Sequence, residues 1–425
     1  MAFRRITTVF FIVKVIQYGL IFFSPLRAFD TSTSLFIEQL GAKNDSLINK
    51  QFWNKLMAWD GVFYLKAMVT GKQEFEHEYA FSMEWPRFVR WLCRGNFELY
   101  NVLKIAVASE LALNYISTLL LYGLTLQTFK KNTLRTHQLR ALAEKSALIF
   151  VLSSATGFST GPYSEPLSTV LTFLGILARE LSIKTDALGR FECMWTRLPL
   201  YSIVSCVAFS LASINRSNCV LLGLYYIWDL LWLAKSGKYA KTLMFPLVSG
   251  FSMLGAYLYH RSYVPFQDFC PQRGEYCFSL GAKLPIPMIN FYSFIQSRYW
   301  NNGFLKYWTL ANIPNFLIAL PNVVVLWYST IYFSHQYPCR NLKPLIMITW
   351  AFLAGVIFFA HVQIVNRIGN FLPLHVWYLA DRMNKSKKES VKVNGDDMLV
   401  KFYFLWLIFW VPLQTILFAT FLPPA

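Results

Sequence analysis

The chain has 425 residues, of which 55% are hydrophobic and only 15% are charged. Soluble globular proteins carry about 25% charged residues, so the composition argues against a soluble protein and predicts an integral membrane protein. The formal net charge of +18 would suit nucleic-acid binding, but the basic residues gather in short segments between apolar runs. That pattern favours membrane anchors, contact with anionic head groups or a phosphate-bearing substrate, and no nucleic-acid partner is expected.

Eleven apolar segments approach the length of about 20 residues that a membrane-spanning helix needs. In chain order they are residues 6–26, 102–129, 141–154, 166–183, 198–214, 219–234, 243–259, 313–333, 342–360, 368–380 and 402–421. The sequence therefore predicts one all-α polytopic membrane domain over residues 1–425, with about eleven transmembrane helices.

The distribution of basic residues predicts the orientation of these spans. The stretch from Met1 to Arg5 is basic and no small-residue cleavage site follows it, which is typical of a signal anchor with a cytoplasmic N-terminus. Under the positive-inside rule the basic loop 381–401 is then cytoplasmic. The two long polar loops, 27–100 and 260–312, are expected on the lumenal side.

The first lumenal loop contains most of the candidate acid–base groups. Aromatic and aliphatic residues over 51–68 are spaced as in an amphipathic helix on the membrane surface, and 88–92 indicate a second. Trp59-Asp60 lies near the end of the first helix, and Glu76 and His77 follow. A partly desolvated carboxylate there would suit general-base chemistry. The alternative is a solvated acid on a helix face, which the clustering of acids makes less attractive.

Further polar clusters interrupt the apolar pattern at the predicted lumenal ends of the spans. Glu165 would either contact substrate or cap a helix N-terminus, and Arg216 would either bind a lipid phosphate or extend to the interface. Ionisable groups at such positions are candidates for function, and several arginines predict an anionic substrate. The candidate binding residues are Tyr163, Glu165, Arg216, Asn218, Arg298, Tyr299, Trp300, His361, Gln363 and Arg367.

The cysteines and the short motifs set further limits. Cys270 and Cys277 bracket a short polar stretch of the second lumenal loop and are expected to form a disulfide; without a second pair nearby they match no zinc signature. Asn44 begins a glycosylation sequon. Walker, GxGxxG, HExxH and GxSxG motifs are missing from any credible context, which disfavours a nucleotide-driven pump and a zinc protease.

Five stretches resemble a known family. They are WDGVFYLKAMVTGKQEFEHEYAF (59–81), PYSEPLSTVLTF (162–173), INRSN (214–218), QSRYWNNGFLKYWTLANIPNFLIALP (296–321) and HVQIVNRI (361–368). Together they resemble the GPI mannosyltransferase 2 family, which adds the second mannose to the glycosylphosphatidylinositol (GPI) precursor. The resemblance implies a GT-C glycosyltransferase fold in the endoplasmic reticulum membrane, dolichyl phosphate mannose as the lumenal donor, an α1,6-linked product and a small accessory membrane subunit.

A β-linked donor and an α-linked product imply transfer with inversion, in which one carboxylate accepts the proton of the acceptor hydroxyl. We expect Asp60 to be this base, with Trp59 holding it in place. Glu76 and His77 would orient the acceptor or tune Asp60, and Glu76 stays open as an alternative base.

The leaving phosphate needs countercharge, for which Arg216, Arg298 and Arg367 are candidates. No metal and no cofactor are expected, because the donor is a substrate with a good leaving group.

Three other functions are compatible with this composition. The chain could be another dolichyl-phosphate-mannose-dependent transferase acting on protein or N-glycan precursors, a lipid or sugar transporter, or a scaffold. A transporter would carry ionisable residues near mid-membrane and pseudo-repeated halves. The predicted spans are nearly free of acids and no repeat is evident, which disfavours that reading.

Overall fold

A computed structural model of the chain describes residues 2–26, 28–42, 46–130, 134–185, 191–193, 197–236, 240–270, 274, 276–278, 291–336, 340–386 and 395–422. In chain order the α-helices of this described part are α1 (Ala2–Phe23), α2 (Ser32–Gln39), α3 (Leu47–Gln51), α4 (Gly61–Thr70), α5 (Glu84–Cys93), α6 (Leu99–Phe129), α7 (Thr136–Val151), α8 (Glu165–Ser182), α9 (Leu198–Asn215), α10 (Leu224–Ser236), α11 (Met244–Leu258), α12 (Val264–Phe269), α13 (Phe291–Tyr299), α14 (Ile313–Gln336), α15 (Lys343–Phe359), α16 (Val365–Ile368), α17 (Leu374–Ser386) and α18 (Gly395–Ala419).

The predicted helical class is confirmed, with one small addition. Two short strands, β1 (Ile183–Thr185) and β2 (Phe191–Cys193), pair antiparallel between α8 and α9, with Ile183 opposite Cys193. Single-turn 3₁₀ helices connect several of the α-helices, and one π-helical turn, Tyr259–Tyr263, joins α11 to α12.

Six helical stretches in the described residues are long and apolar enough to cross a membrane. They are Ala2–Phe23, Leu99–Phe129, Leu198–Asn215, Ser217–Lys235, Leu310–His335 and Asp397–Ala419. The chain is therefore a multi-pass membrane protein, as predicted, whereas the number eleven stays a prediction. Lys343–Phe359 is also apolar but is shorter than these six stretches. An apolar run in the sequence therefore need not form a helix long enough to cross a membrane.

The predicted span 368–380 is not one continuous helix. It contains the end of α16, a 3₁₀ turn at Gly369–Phe371 and the first half of α17. Pro373 follows Leu372, whose backbone is extended with ψ 110°, as sterics before a proline demand. Because α17 continues to Ser386, the predicted cytoplasmic loop 381–401 is partly helical at both ends.

The predicted surface helix over 51–68 is broken in its middle. A 3₁₀ turn over Trp53–Met57 is followed by an extended Ala58 and by Trp59 with φ +58°. A residue in this left-handed region cannot continue a right-handed helix, so α4 begins only at Gly61. Half of the residues of α4 are buried and none is exposed, so the helix packs within the protein. The second expected helix is confirmed as α5.

Close packing of α8 on α9 positions the ends of both helices. At Gly175 an added Cβ would lie 2.4 Å from the ring of Phe209, so this contact requires glycine. Because α9 runs back along α8, the first residue of α8 and the residue after α9 meet at one end of the pair. Asn215 fixes the junction by donating to the Ser164 carbonyl at 2.9 Å and to the Ser168 hydroxyl at 2.7 Å.

The helices also contain buried acidic residues, so the expectation that the spans are nearly free of acids is wrong at these positions. Glu110 of α6 is fully buried. Arg179 of α8 binds Asp229 of α10 through two nitrogens and Glu180 through a third. Paired in this way, the charges of α8 and α10 can be buried at moderate cost.

Candidate active site

A cavity of about 350 Å³ lies where the first long loop meets the ends of α9, α11, α13 and α15. It is the predicted lumenal side of the protein. Residues predicted from the sequence to form the site line this cavity together: Asp60, Arg216, Asn218, Trp300, His361 and Arg367. Their convergence follows from the chain path, since each of them lies at or near the end of a helix on the same side.

A chain of alternating charges runs along one wall of the cavity. The Asp60 Oδ2 atom accepts from Arg367 Nη1 at 2.5 Å, and Arg367 Nε donates to Glu165 Oε1 at 2.5 Å. Arg216 Nη2 lies 3.2 Å from the same Glu165 oxygen, and Arg216 Nη1 donates to the Tyr64 hydroxyl at 3.0 Å. Charge-assisted hydrogen bonds of this kind hold side chains in one geometry.

Glu165 organises this wall. It is the first residue of α8, but Ser164 occupies the cap position, and the Glu165 side chain turns to the two guanidinium groups instead. It is only 13% exposed and does not line the cavity. Glu165 therefore pairs with Arg216 and Arg367 and orients both guanidinium groups, while the predicted substrate contact stays a prediction.

The turn that carries Asp60 is held from behind by Tyr163. The Tyr163 hydroxyl donates to the Ala58 carbonyl at 2.5 Å and accepts from the Gly61 amide at 3.1 Å. Tyr163 is fully buried, so it supports the turn and does not face the cavity. The Trp59 ring packs against Phe421, with centroids 5.0 Å apart, and this contact offsets the strain of its left-handed backbone.

Glu76 and His77 lie outside the cavity lining. Glu76 is 4% exposed, and its Oε2 atom accepts from the Tyr299 hydroxyl at 2.5 Å. The His77 ring stacks on Phe75, with centroids 5.8 Å apart. Burial lowers the pKa of His77, so its imidazole is neutral near pH 7. Both residues form part of an aromatic layer beside the cavity.

The remaining predicted residues are distributed around the cavity. Arg298 and Tyr299 are exposed at the end of α13 and do not line it. His361 stacks on Tyr307 at 4.3 Å, and Gln363 lines an adjoining cavity of about 120 Å³ that shares His361 and Arg367 with the larger one.

The sequence predicts a disulfide and a glycosylation site, and the structure describes the disulfide. Cys270 and Cys277 form a disulfide, as predicted from their spacing. Gly274 inside this loop lies close to Glu76, because an added Cβ would be 2.6 Å from the Glu76 Oε1 atom. Asn44, the predicted glycosylation site, lies outside the described residues.

Sequence reasoning missed Arg261, which lines the cavity and is 95% buried, its relative exposure being 5%. It follows the predicted span 243–259, in the same position at a span end that singled out Arg216 and Arg367. Tyr64, the partner of Arg216, was also missed, because within the sequence it is one aromatic residue among many.

Comparison with known proteins decides the class of protein. The family model "Mannosyltransferase (PIG-V)" matches residues 4–425. The chain belongs to this mannosyltransferase family. It is 51% identical to GPI mannosyltransferase 2 of Saccharomyces cerevisiae over 99% of both chains. It is 46% identical to GPI mannosyltransferase 2 of Eremothecium gossypii, over 100% of this chain and 99% of that one.

These relationships confirm the predicted family and enzyme class: the chain is a membrane glycosyltransferase that transfers mannose in GPI-anchor synthesis. Among solved structures it is similar to the Archaeoglobus fulgidus oligosaccharyltransferase in the apo form, with 9% identity and a TM-score of 0.49, over 98% of this chain and 56% of that one.

Proposed function

We propose that the enzyme transfers the second mannose of the GPI anchor from dolichyl phosphate mannose to the GPI precursor, forming an α1,6 linkage with inversion on the lumenal side of the endoplasmic reticulum membrane. The observation that carries this proposal is the cavity in which the Asp60 carboxylate lies beside paired guanidinium groups. The whole-length similarity to proteins named GPI mannosyltransferase 2 supports the acceptor. We also propose that the enzyme has the GT-C glycosyltransferase fold, as the family resemblance implies.

Asp60 is our proposed general base. Only its Oδ2 atom accepts from Arg367, and the described residues provide no hydrogen bond to Oδ1. The side chain is 22% exposed, so Oδ1 is available to an acceptor hydroxyl. In the reaction the bond from the acceptor O6 to mannose C1 forms as the bond from C1 to the phosphate oxygen breaks, and Asp60 takes the hydroxyl proton.

Arg367 and Arg216 provide positive charge for the departing phosphate. The Nη2 atom of Arg367 is buried and has no hydrogen-bond acceptor in the described residues. Leaving a buried donor unsatisfied costs about 1–3 kcal/mol, a cost that a bound phosphate oxygen would remove. Preorganised donors of this kind stabilise charge that develops in a transition state, so we propose that no metal is needed.

Microsomes containing the wild-type enzyme or Asp60→Ala test the reaction. The wild type is expected to transfer mannose from dolichyl phosphate mannose, and not from GDP-mannose, to a singly mannosylated GPI acceptor, with an α1,6 linkage in the isolated product. Asp60→Ala is expected to lose this transfer. Near-normal transfer by Asp60→Ala would contradict the assignment, and transfer to peptide or N-glycan precursor alone would identify a different transferase.

A small accessory membrane subunit completes the proposal, as the family resemblance implies. Purification from the endoplasmic reticulum in mild detergent is expected to retain such a protein in a fixed ratio. A fully active single chain in liposomes would remove the need for it.

A further inference from the structure

Charge in the cavity is not balanced, and the imbalance comes from one residue. The carboxylates of Asp60 and Glu165 are shared between Arg216 and Arg367, so these four groups are close to neutral together. Burial lowers the pKa of His361, which leaves this cavity-lining imidazole neutral near pH 7. The guanidinium of Arg261 therefore remains as the uncompensated positive charge of the lining.

In the part of the chain that the structure describes, neutral groups alone hold Arg261 in place. Its Nη2 atom donates to the Ser217 hydroxyl at 2.8 Å and its Nη1 to the Ala80 carbonyl at 3.4 Å. The guanidinium carbon lies 4.9 Å from the centre of the Tyr292 ring. No carboxylate lies within ion-pair distance among the described residues, and the buried Nε atom has no acceptor there.

A charge that is 95% buried without a counterion is costly. The π-helical turn Tyr259–Tyr263 contains Arg261, and π-helical turns occur frequently at functional sites. The Trp300 Nε1 atom, on another residue of the same lining, is likewise buried without an acceptor. Unsatisfied N–H donors beside an uncompensated cation indicate that an anion with several acceptor oxygens occupies this part of the cavity.

We propose that Arg261 binds the phosphate ester of a lipid substrate. The proposal rests on the proposed function for the identity of the lipids, since a dolichyl-linked donor and a phosphatidylinositol-based acceptor both carry such an ester. A phosphodiester has a single negative charge, which matches the single uncompensated charge of the cavity. Arg261 would then add its charge to the countercharge that Arg216 and Arg367 provide, and Arg367 could donate to the same phosphate through its unsatisfied Nη2 atom.

Binding to purified full-length enzyme tests the proposal without requiring transfer. The probes are a short-chain polyprenyl phosphate and phosphatidylinositol in detergent micelles, measured by ligand-induced thermal stabilisation. Arg261→Gln is expected to weaken binding of one of them by roughly tenfold to a hundredfold, the loss of one charged hydrogen bond. Arg87→Gln is the matched control, because the Arg87 side chain is 58% exposed and its ion pair among the described residues is with Glu84 on α5; it is expected to bind like the wild type.

The two arms distinguish the source of the phosphate. Weaker binding of polyprenyl phosphate assigns Arg261 to the donor, and weaker binding of phosphatidylinositol assigns it to the acceptor. Unchanged binding of both probes overturns the proposal. If Arg261→Gln does not fold, Arg261→Lys decides: it keeps the charge but not the planar fork, so weaker binding is still expected, and wild-type binding overturns the proposal.

The mannose-transfer assay separates this inference from the function itself. Wild-type enzyme that transfers no mannose to GPI acceptors, with phosphate binding still dependent on Arg261, contradicts only the function. Confirmed transfer with an Arg261→Gln variant that binds and transfers like the wild type contradicts only the inference.

Discussion

Replacement of Asp60 by asparagine removes the proposed base while leaving the wall of the cavity nearly intact. Asparagine has nearly the same shape as aspartate. Its amide oxygen can replace Asp60 Oδ2, which in the wild type accepts from Arg367 Nη1 at 2.5 Å. The exchange removes one of the two carboxylates that pair with Arg367, and because Glu165 remains in place the cost is about 1–3 kcal/mol of stability. Loss of general-base catalysis costs about 10²- to 10⁴-fold in rate, or roughly 3–5 kcal/mol in the barrier. Activity should therefore fall far more than stability.

The assay is mannose transfer to a singly mannosylated GPI acceptor in microsomes, normalised to the amount of folded enzyme. Glu76→Gln serves as the paired variant, because Glu76 is the alternative base. Glu76 lies outside the cavity lining and accepts from Tyr299, so its glutamine variant should stay within about threefold of wild type if it has no base role. A large loss with Glu76→Gln and near-normal transfer with Asp60→Asn would show that Glu76, and not Asp60, is the base.

Three further results are expected. Tyr163→Phe removes the hydroxyl that holds the Ala58 and Gly61 backbone; it should cost about 1–3 kcal/mol in thermal unfolding and lower kcat, and unchanged kcat would show that the turn does not need it. Because the pKa of His77 is lowered in the folded protein, the unfolded state binds more protons below about pH 6.5. Wild-type stability should then fall as pH decreases through that range, and His77→Phe, which can keep the ring stack, should show a smaller fall and normal transfer; an identical pH profile would contradict this. Transfer should continue in excess EDTA, since guanidinium groups provide the countercharge, and restoration of lost activity by a divalent cation would show a metal requirement.

The part of the site that sequence could predict follows from membrane topology. Arg216 follows one apolar run and Arg367 precedes another. The alternation of basic loops along the chain predicts that both lie on the lumenal side. The ends of packed spans on one side lie close together, so their convergence on Asp60 was predictable as a cluster. Their exact pairing was not, because Arg367 and Asp60 are 307 residues apart and the pairing depends on how α4, α8 and α9 pack.

The positions that sequence misjudged depend on tertiary contacts. The apolar spacing over 51–68 has a helical period, but the contact of Tyr163 with the turn at Ala58 and the packing of Trp59 on Phe421 stabilise a left-handed residue that ends it. Glu76 was considered as a base from its acidic neighbours alone, and burial under Tyr299 gives it another environment. Arg261 also follows an apolar run, so the criterion that identifies Arg216 and Arg367 applies to it as well.

The most direct test of the account is an experimental structure of the enzyme with a non-transferable phosphonate analogue of dolichyl phosphate mannose. We expect the phosphate oxygens within hydrogen-bonding reach of Arg261 or Arg367, with the anomeric carbon of mannose beside Asp60. A donor whose phosphate lies outside this cavity, or whose anomeric carbon lies beside Glu76, would contradict it.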